Sequence, residues 1–262
     1  ITYAKYDGLS ISADRDAVRI NWGDGTSDSI CRTNGALEPS GCHAGEIIAT
    51  SPITIKKNEY IGRHTYSGFP PLGFYLISFY DNNRIDGIAN IDNGNSVNVA
   101  FYVEDTLKYP TDLANIGTNS GPILLHPPID YANLNDTFYH NPLAIDPDGD
   151  SLDFQLIPCR QAQGSVVPVY SYPDQYCRAS NHPDNTLTID RHTGQIVWAT
   201  PCYVGIFNIA ILISEFRGGI CIGTMVRDMQ IIVLNENNDP PKIAAVNDTC
   251  IRAGDKLQIS VV

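Results

Sequence analysis

Short runs of β-branched and aromatic residues, each closed by turn chemistry, recur along this chain and restrict it to stacked strands. "AVRINW" (residues 17–22), "GFYLISFY" (73–80) and "SVNVAFYV" (96–103) are such runs. "GDGTSD", "SGFPPLG" and "DNNRIDG" punctuate this part of the chain with turn residues. No stretch sustains an apolar helical period with caps. Residues 1–108 therefore read as a small β-sandwich. Residues 109–128 hold four prolines and two glycines, and 109–122 reads as a linker, with the boundary near Asn119 to Pro122. A second series follows: "SLDFQLI" (151–157), "TLTID" (186–190), "GQIVW" (194–198), "IFNIAILISEF" (206–216) and "TMVRDMQIIVL" (224–234). "RGG" at 217–219 joins the last two as a hairpin. Residues 123–241 read as a second sandwich and 242–262 as the start of a further β-domain. The expected fold class is all-β, with tandem Greek-key β-sandwiches. The chain opens on strand-like "ITYAKY" and ends on "LQISVV", so it is expected to be a segment of a longer protein.

Composition narrows the function. The 262 residues carry a formal charge of -12. Nucleic acid phosphates need Lys and Arg, so that partner is excluded; cations, or a solubilising acidic surface, fit instead. The longest apolar run, "IFNIAILI" (206–213), falls far short of the roughly 20 residues that span a bilayer. The nucleophile elbow, the zinc-protease His-Glu-x-x-His and the phosphate-binding glycine loop are all absent from the sequence. The chain reads as non-catalytic. Its seven cysteines show no Cys-x-x-Cys and no zinc spacing. They read as structural disulfides of an oxidising compartment, with free buried thiols as the alternative. Cys31 with Cys42, and Cys159 with Cys177, each flank a loop and are the expected pairs. Cys202 and Cys221 are not expected to pair with each other, and the connectivity of Cys202, Cys221 and Cys250 is open.

"AIDPDGDSLDFQL" (144–156) places Asp146, Asp148 and Asp150 within five residues. The helix–loop–helix calcium register fails here, because Ser151 stands at its sixth position and Ile157 at its twelfth. A Pro-Asp-Gly turn before a strand is the simpler account. A second oxygen-rich run, "NENNDPP" (235–241), ends the same unit.

These two runs resemble the calcium motifs of cadherin repeats. Those repeats end in Asp-x-Asn-Asp-Asn-x-Pro and carry Ala-x-Asp-x-Asp before their second strand; "LTIDRHTGQIVW" resembles their Asp-x-x-Thr-Gly turn. The resemblance covers about residues 122–241. It implies calcium at the joints between repeats. Asp146, Asp148 and Asp150, with Glu104, Asp105 and Asn119, would serve the first joint. Asn235, Asn237, Asn238 and Asp239 would serve the second. Asn235 stands where cadherins have Asp, and "ATPCYVG" replaces the Asp-Arg-Glu motif, so one or two ions are implied rather than three. "INWGDGTSD" with "HTYSGFPPLGFYLISFYD" resembles the PKD domain, another β-sandwich, in which Asp24 and His64 are read as structural. Nearly the whole chain resembles a repeat of secreted Bacteroidota surface proteins, the cargo of gliding motility and type IX secretion. That resemblance implies export across the outer membrane and display on the cell surface, with O-glycans at "DSI", "DTL" and "DSL" (Ser29, Thr106, Ser151).

The resulting expectation is a non-catalytic, adhesive or structural segment. Its partners would be neighbouring repeats of the same chain, a surface polysaccharide, or further copies in a filament. The alternative is a carbohydrate- or partner-binding module, with Tyr170, Tyr172 and Tyr176 of "YSYPDQYC" stacking on sugar rings.

Overall fold

A computed structural model describes residues 1–6, 14–51, 53–70, 72–109 and 117–236. Asn237, Asn238, Asp239 and Cys250 lie outside the described residues. In chain order the strands of the first part are β1 (Thr2–Lys5), β2 (Ala17–Asn21), β3 (Ser27–Cys31), β4 (Glu46–Ala49), β5 (Ile55–Asn58), β6 (Phe74–Asp81) and β7 (Phe101–Lys108). The second part begins with β8 (Ile123–Leu124), β9 (Ile129–Asn133), β10 (Phe138–His140), β11 (Ala144–Ile145), β12 (Ser151–Ile157), β13 (Arg160–Ala162) and β14 (Ser165–Val166). A short helix α1 (Pro173–Ala179) precedes β15 (Leu187–Ile189), β16 (Ile196–Trp198), β17 (Gly205–Arg217) and β18 (Ile220–Leu234). Among the described residues the protein is all-β apart from α1 and short 3-10 turns.

One long sheet, ordered β12-β17-β18-β7-β6-β2-β3, runs through both parts. The join is the antiparallel pairing of β18 with β7, Gly223 opposite Leu107 and Met225 opposite Asp105. β9 adds to β18 in parallel. Two three-stranded sheets, β1-β5-β4 and β10-β16-β15, complete the layers, with β8 and β11 as a two-stranded ribbon. The largest core packs Phe138, Ile196 and Trp198 of the small sheet against Phe207, Ile209, Ile211, Ile213, Met229 and Ile231 of the long one. Period-two alternation along β17 and β18 explains this, since every second residue faces the same layer.

Three sequence expectations shift. The run at 96–103 does not begin as a strand: residues Ser96–Asn98 form a 3-10 turn. The buried Ser96 hydroxyl donates to the Ile85 carbonyl at 2.6 Å and accepts from the Ile88 N–H at 3.0 Å, which holds the chain in a turn until Phe101. "YSYPDQYC" is not a loop throughout, because α1 starts at Pro173, whose fixed φ suits a first helical position. Two turns are too short for a visible period. The cysteine pairing also changes. Cys31 bonds Cys42, but Cys177 bonds Cys202 rather than Cys159. Cys159 is a fully buried free thiol and Cys221 is also free. α1 carries Cys177 onto the main core beside Cys202, whereas Cys159 packs in a separate cluster with Ile88, Val99 and Val226.

Candidate metal centre

The 146–150 turn is built by its first aspartate. Asp146 Oδ1 accepts the N–H groups of Asp148 (2.9 Å) and Asp150 (3.0 Å), and its carbonyl accepts Gly149 N–H at 3.3 Å. Gly149 sits at φ +81°, the left-handed region this turn requires. The turn therefore uses one oxygen of Asp146. The other, Oδ2, is buried and has no hydrogen-bond partner.

A fourth carboxylate converges on this turn from the sheet. Glu215, at the end of β17, is only 2% exposed. One oxygen each from Asp146, Asp150 and Glu215 lies within 4.8 Å of the others. Glu215 lies across Gly223 of β18, where a Cβ would stand 2.6 Å from its Oε1. Asn119 donates to Glu215 Oε2 at 2.6 Å, and Ser120 N–H donates to Asp148 Oδ2 at 2.7 Å. Three segments distant in sequence thus meet: 118–120, the 146–150 turn and the β17–β18 hairpin.

Among the described residues, one cation answers this charge. Arg217 donates through Nε to Asp150 Oδ1 at 2.7 Å and through Nη2 to Asp150 Oδ2 at 2.5 Å. Its Nη2 also reaches Asp148 Oδ2 and Asn119 Oδ1, each at 3.2 Å, and Nη1 donates to the Thr118 carbonyl. These carboxylates push the Arg217 pKa up. Backbone donation from Ser120, with Arg217 beside it, holds Asp148 below the usual carboxylate range. Asp146 and Glu215 form no ion pair with Arg217. Burial pushes Glu215 up, and the charges of Asp146 and Asp150 add to the rise. Asp105 follows the same logic: burial first, then the Glu215 charge, raise it to about 7.

The donor set is all oxygen and mostly anionic, which suits a hard cation. Calcium takes six to eight oxygens, from carboxylates, amides and backbone carbonyls, in flexible geometry. The residues fit such an ion: Asp146, Asp150 and Glu215 could share it, with Asn119 and Asp148 adjacent.

The other expected ligands fall elsewhere. Glu104 occupies the opposite face of β7 from Asp105 and is held by Arg160 and by the Tyr102 hydroxyl, so it is not part of the cluster. Asn235 is exposed just past the far end of β18, roughly 40 Å from Gly223 at about 3.3 Å per residue. Glu215 and Arg217 are absent from the sequence reading of the site, although a lone acid ending the apolar run "IAILISEF" was a visible signal.

The remaining candidates are accounted for by packing. Asp24 accepts from the Thr26 hydroxyl (2.6 Å) and N–H (2.9 Å) and from His64 Nε2 (2.7 Å), which holds its pKa at about 2. His64 stacks on Trp22 with ring centroids 4.9 Å apart. Tyr170 and Tyr172 contact each other edge to face, and Tyr176 packs edge-on to Phe207 and Tyr203. All three tyrosines are half-buried. Ser29 and Ser151 are exposed, whereas Thr106 is half-buried on a strand flanked on both sides.

No family model and no curated protein matches the chain. Among solved structures, the human desmocollin-1 ectodomain is similar at 13% identity and a TM-score of 0.28. The match covers 87% of this chain and 35% of that ectodomain, so the chain spans about a third of its length.

Proposed function

We propose that this chain is a non-catalytic, extracellular structural or adhesive segment whose joint is stiffened by calcium. The observation that carries this reading is the meeting of Asp146, Asp150 and Glu215, together with one buried, unpartnered oxygen on Asp146. Four carboxylates face one guanidinium there, and a divalent ion would relieve the surplus. The ion would tie the 146–150 turn to the β17–β18 hairpin and to the stretch that follows the first unit. Two disulfides fit an oxidising environment outside the cell. Under this reading the chain is displayed on a bacterial surface beside further repeats, with Ser29 and Ser151 as the accessible O-glycan acceptors.

The test is a melting curve in EDTA, in calcium and in magnesium. A ligand at about 100 times its Kd stabilises by about 2.7 kcal/mol, or roughly 5–10 °C for a chain of this size. A calcium-specific rise, lost in Glu215→Gln and in Asp146→Asn, is expected. Equal curves in EDTA and calcium would leave Arg217 as the sole counter-ion and the segment as a metal-free spacer.

A further inference from the structure

A concavity of about 600 Å³ opens where the strands of the first part meet β18. Its floor is one row of the long sheet. Ile20 pairs with Phe79 and Phe79 with Val103. Arg227 lies two residues beyond Met225 on the same face of β18. Trp22 and Leu124 help to close the chamber.

Arg227 is the unusual member. It is 6% exposed. Its Nη2 donates to the His126 carbonyl, while Nε and Nη1 have no hydrogen-bond partner. The neighbouring acid, Asp228, is engaged with Arg84 at 2.7 Å and gives Arg227 no ion pair. Burial lowers the Arg227 pKa to about 10, opposed only by Tyr3. A buried guanidinium without a counter-charge is costly, and an apolar residue of similar volume would often serve a core better. Asp228 also borders the chamber but is neutralised by Arg84, so Arg227 is the charge left to orient a small molecule in a mostly apolar site of ligand size.

We infer that this chamber binds a small amphiphilic carboxylate, with its hydrocarbon chain along Val18, Ile20 and Phe79 and its carboxylate on Arg227. The shape gives the apolar part a wall of branched and aromatic side chains. Nε and Nη1, buried and unpartnered at the wall of the chamber, become charge-assisted donors to the anion once a small shift of the side chains over them lets it in. The chamber is separate from the carboxylate cluster, so the inference stands apart from the calcium reading.

Isothermal titration in EDTA tests it, with decanoate, 1-decanol and acetate as probes. EDTA keeps calcium from recruiting the carboxylate to the acidic cluster. Decanoate is expected to bind at least tenfold more tightly than 1-decanol, and acetate not to bind at the same concentrations. Arg227→Met should erase the preference for decanoate while its melting curve shows a folded protein. Equal binding of decanoate and 1-decanol would reduce the chamber to an apolar cleft and overturn the proposal. So would the absence of heat with decanoate, or a preference that survives Arg227→Met. The comparison of probes on the unsubstituted protein decides the matter by itself if the Met variant does not fold.

Discussion

Asp105 couples the joint to pH. Its carboxyl is lifted from 3.8 to about 7 by burial and by the Glu215 charge. The folded state therefore holds this proton more tightly than the unfolded chain does. The associated stability is fully present below about pH 4 and is lost as pH climbs through about 7. Asp24 and Asp148 shift the other way, and their contributions vanish only as pH falls below about 4, outside this window. In EDTA, urea unfolding is expected to show stability falling by roughly 2–4 kcal/mol between pH 5 and pH 8 from Asp105. Asp105→Asn should reduce that slope to the part contributed by Glu215, whose carboxyl is also raised, and raise the melting temperature at pH 8. A slope unchanged in the Asn variant would mean that Asp105 carries no excess proton.

At the level of elements, the β17–β18 hairpin positions the centre. Gly218 and Gly219 both take positive φ, 58° and 82°, as a two-residue hairpin turn requires. Gly223 then leaves room above β18 for Glu215. A methyl group there would sit 2.6 Å from Glu215 Oε1 and 3.0 Å from Cδ. The end of a flexible side chain would move, so the carboxylate would swing out of the cluster while the strand stayed in place. Gly223→Ala is expected to weaken calcium at least tenfold by titration and to leave the melting temperature in EDTA within a few degrees of the parent. An unchanged affinity would show that Glu215 is not a ligand. These elements also show what sequence could reveal. The "RGG" turn and the strands of 151–157 and 206–216 were legible because period two and paired glycines are local signals. So was the turn at Asp146, whose hydrogen bonds span only four residues. Glu215 was overlooked because its partners lie in segments about 70 and 95 residues away along the chain. The Cys177–Cys202 bond escaped because α1, only two turns long, turns Cys177 away from Cys159. Glu104 was misplaced because adjacent residues on a strand face opposite layers, and only the β7–β18 register shows which of Glu104 and Asp105 faces Glu215.

For the whole molecule, the question is whether the stretch around Asn119 to Pro122 separates two cooperative units. The long sheet crosses it through β7 and β18. One core cluster mixes Ile88, Ile91 and Val99 with Ala210 and Val226, and another joins Ile55 to Ile129 and Ile232. Arg84 pairs with Asp228 where both side chains are almost wholly buried, and Asn90 Nδ2 donates to the Asn208 carbonyl at 2.8 Å. Breaking a buried pair on one side leaves an uncompensated charge on the other, at a cost of about 3–5 kcal/mol. Neither part can therefore unfold without exposing the apolar surface and buried charge of its neighbour. The two tryptophans report on the two parts separately, Trp22 beside His64 and Trp198 in the main core. Trp22→Phe and Trp198→Phe each leave one reporter, and urea curves followed by fluorescence are expected to share midpoint and slope once each variant's own stability is set by circular dichroism. Calcium should move both curves together, because the ion would bind at the end of β17, one strand from the β7–β18 join. A Trp22 transition that precedes the circular dichroism transition of its own variant would show the first part opening alone. The joint would then be a hinge rather than a continuation of the sheet.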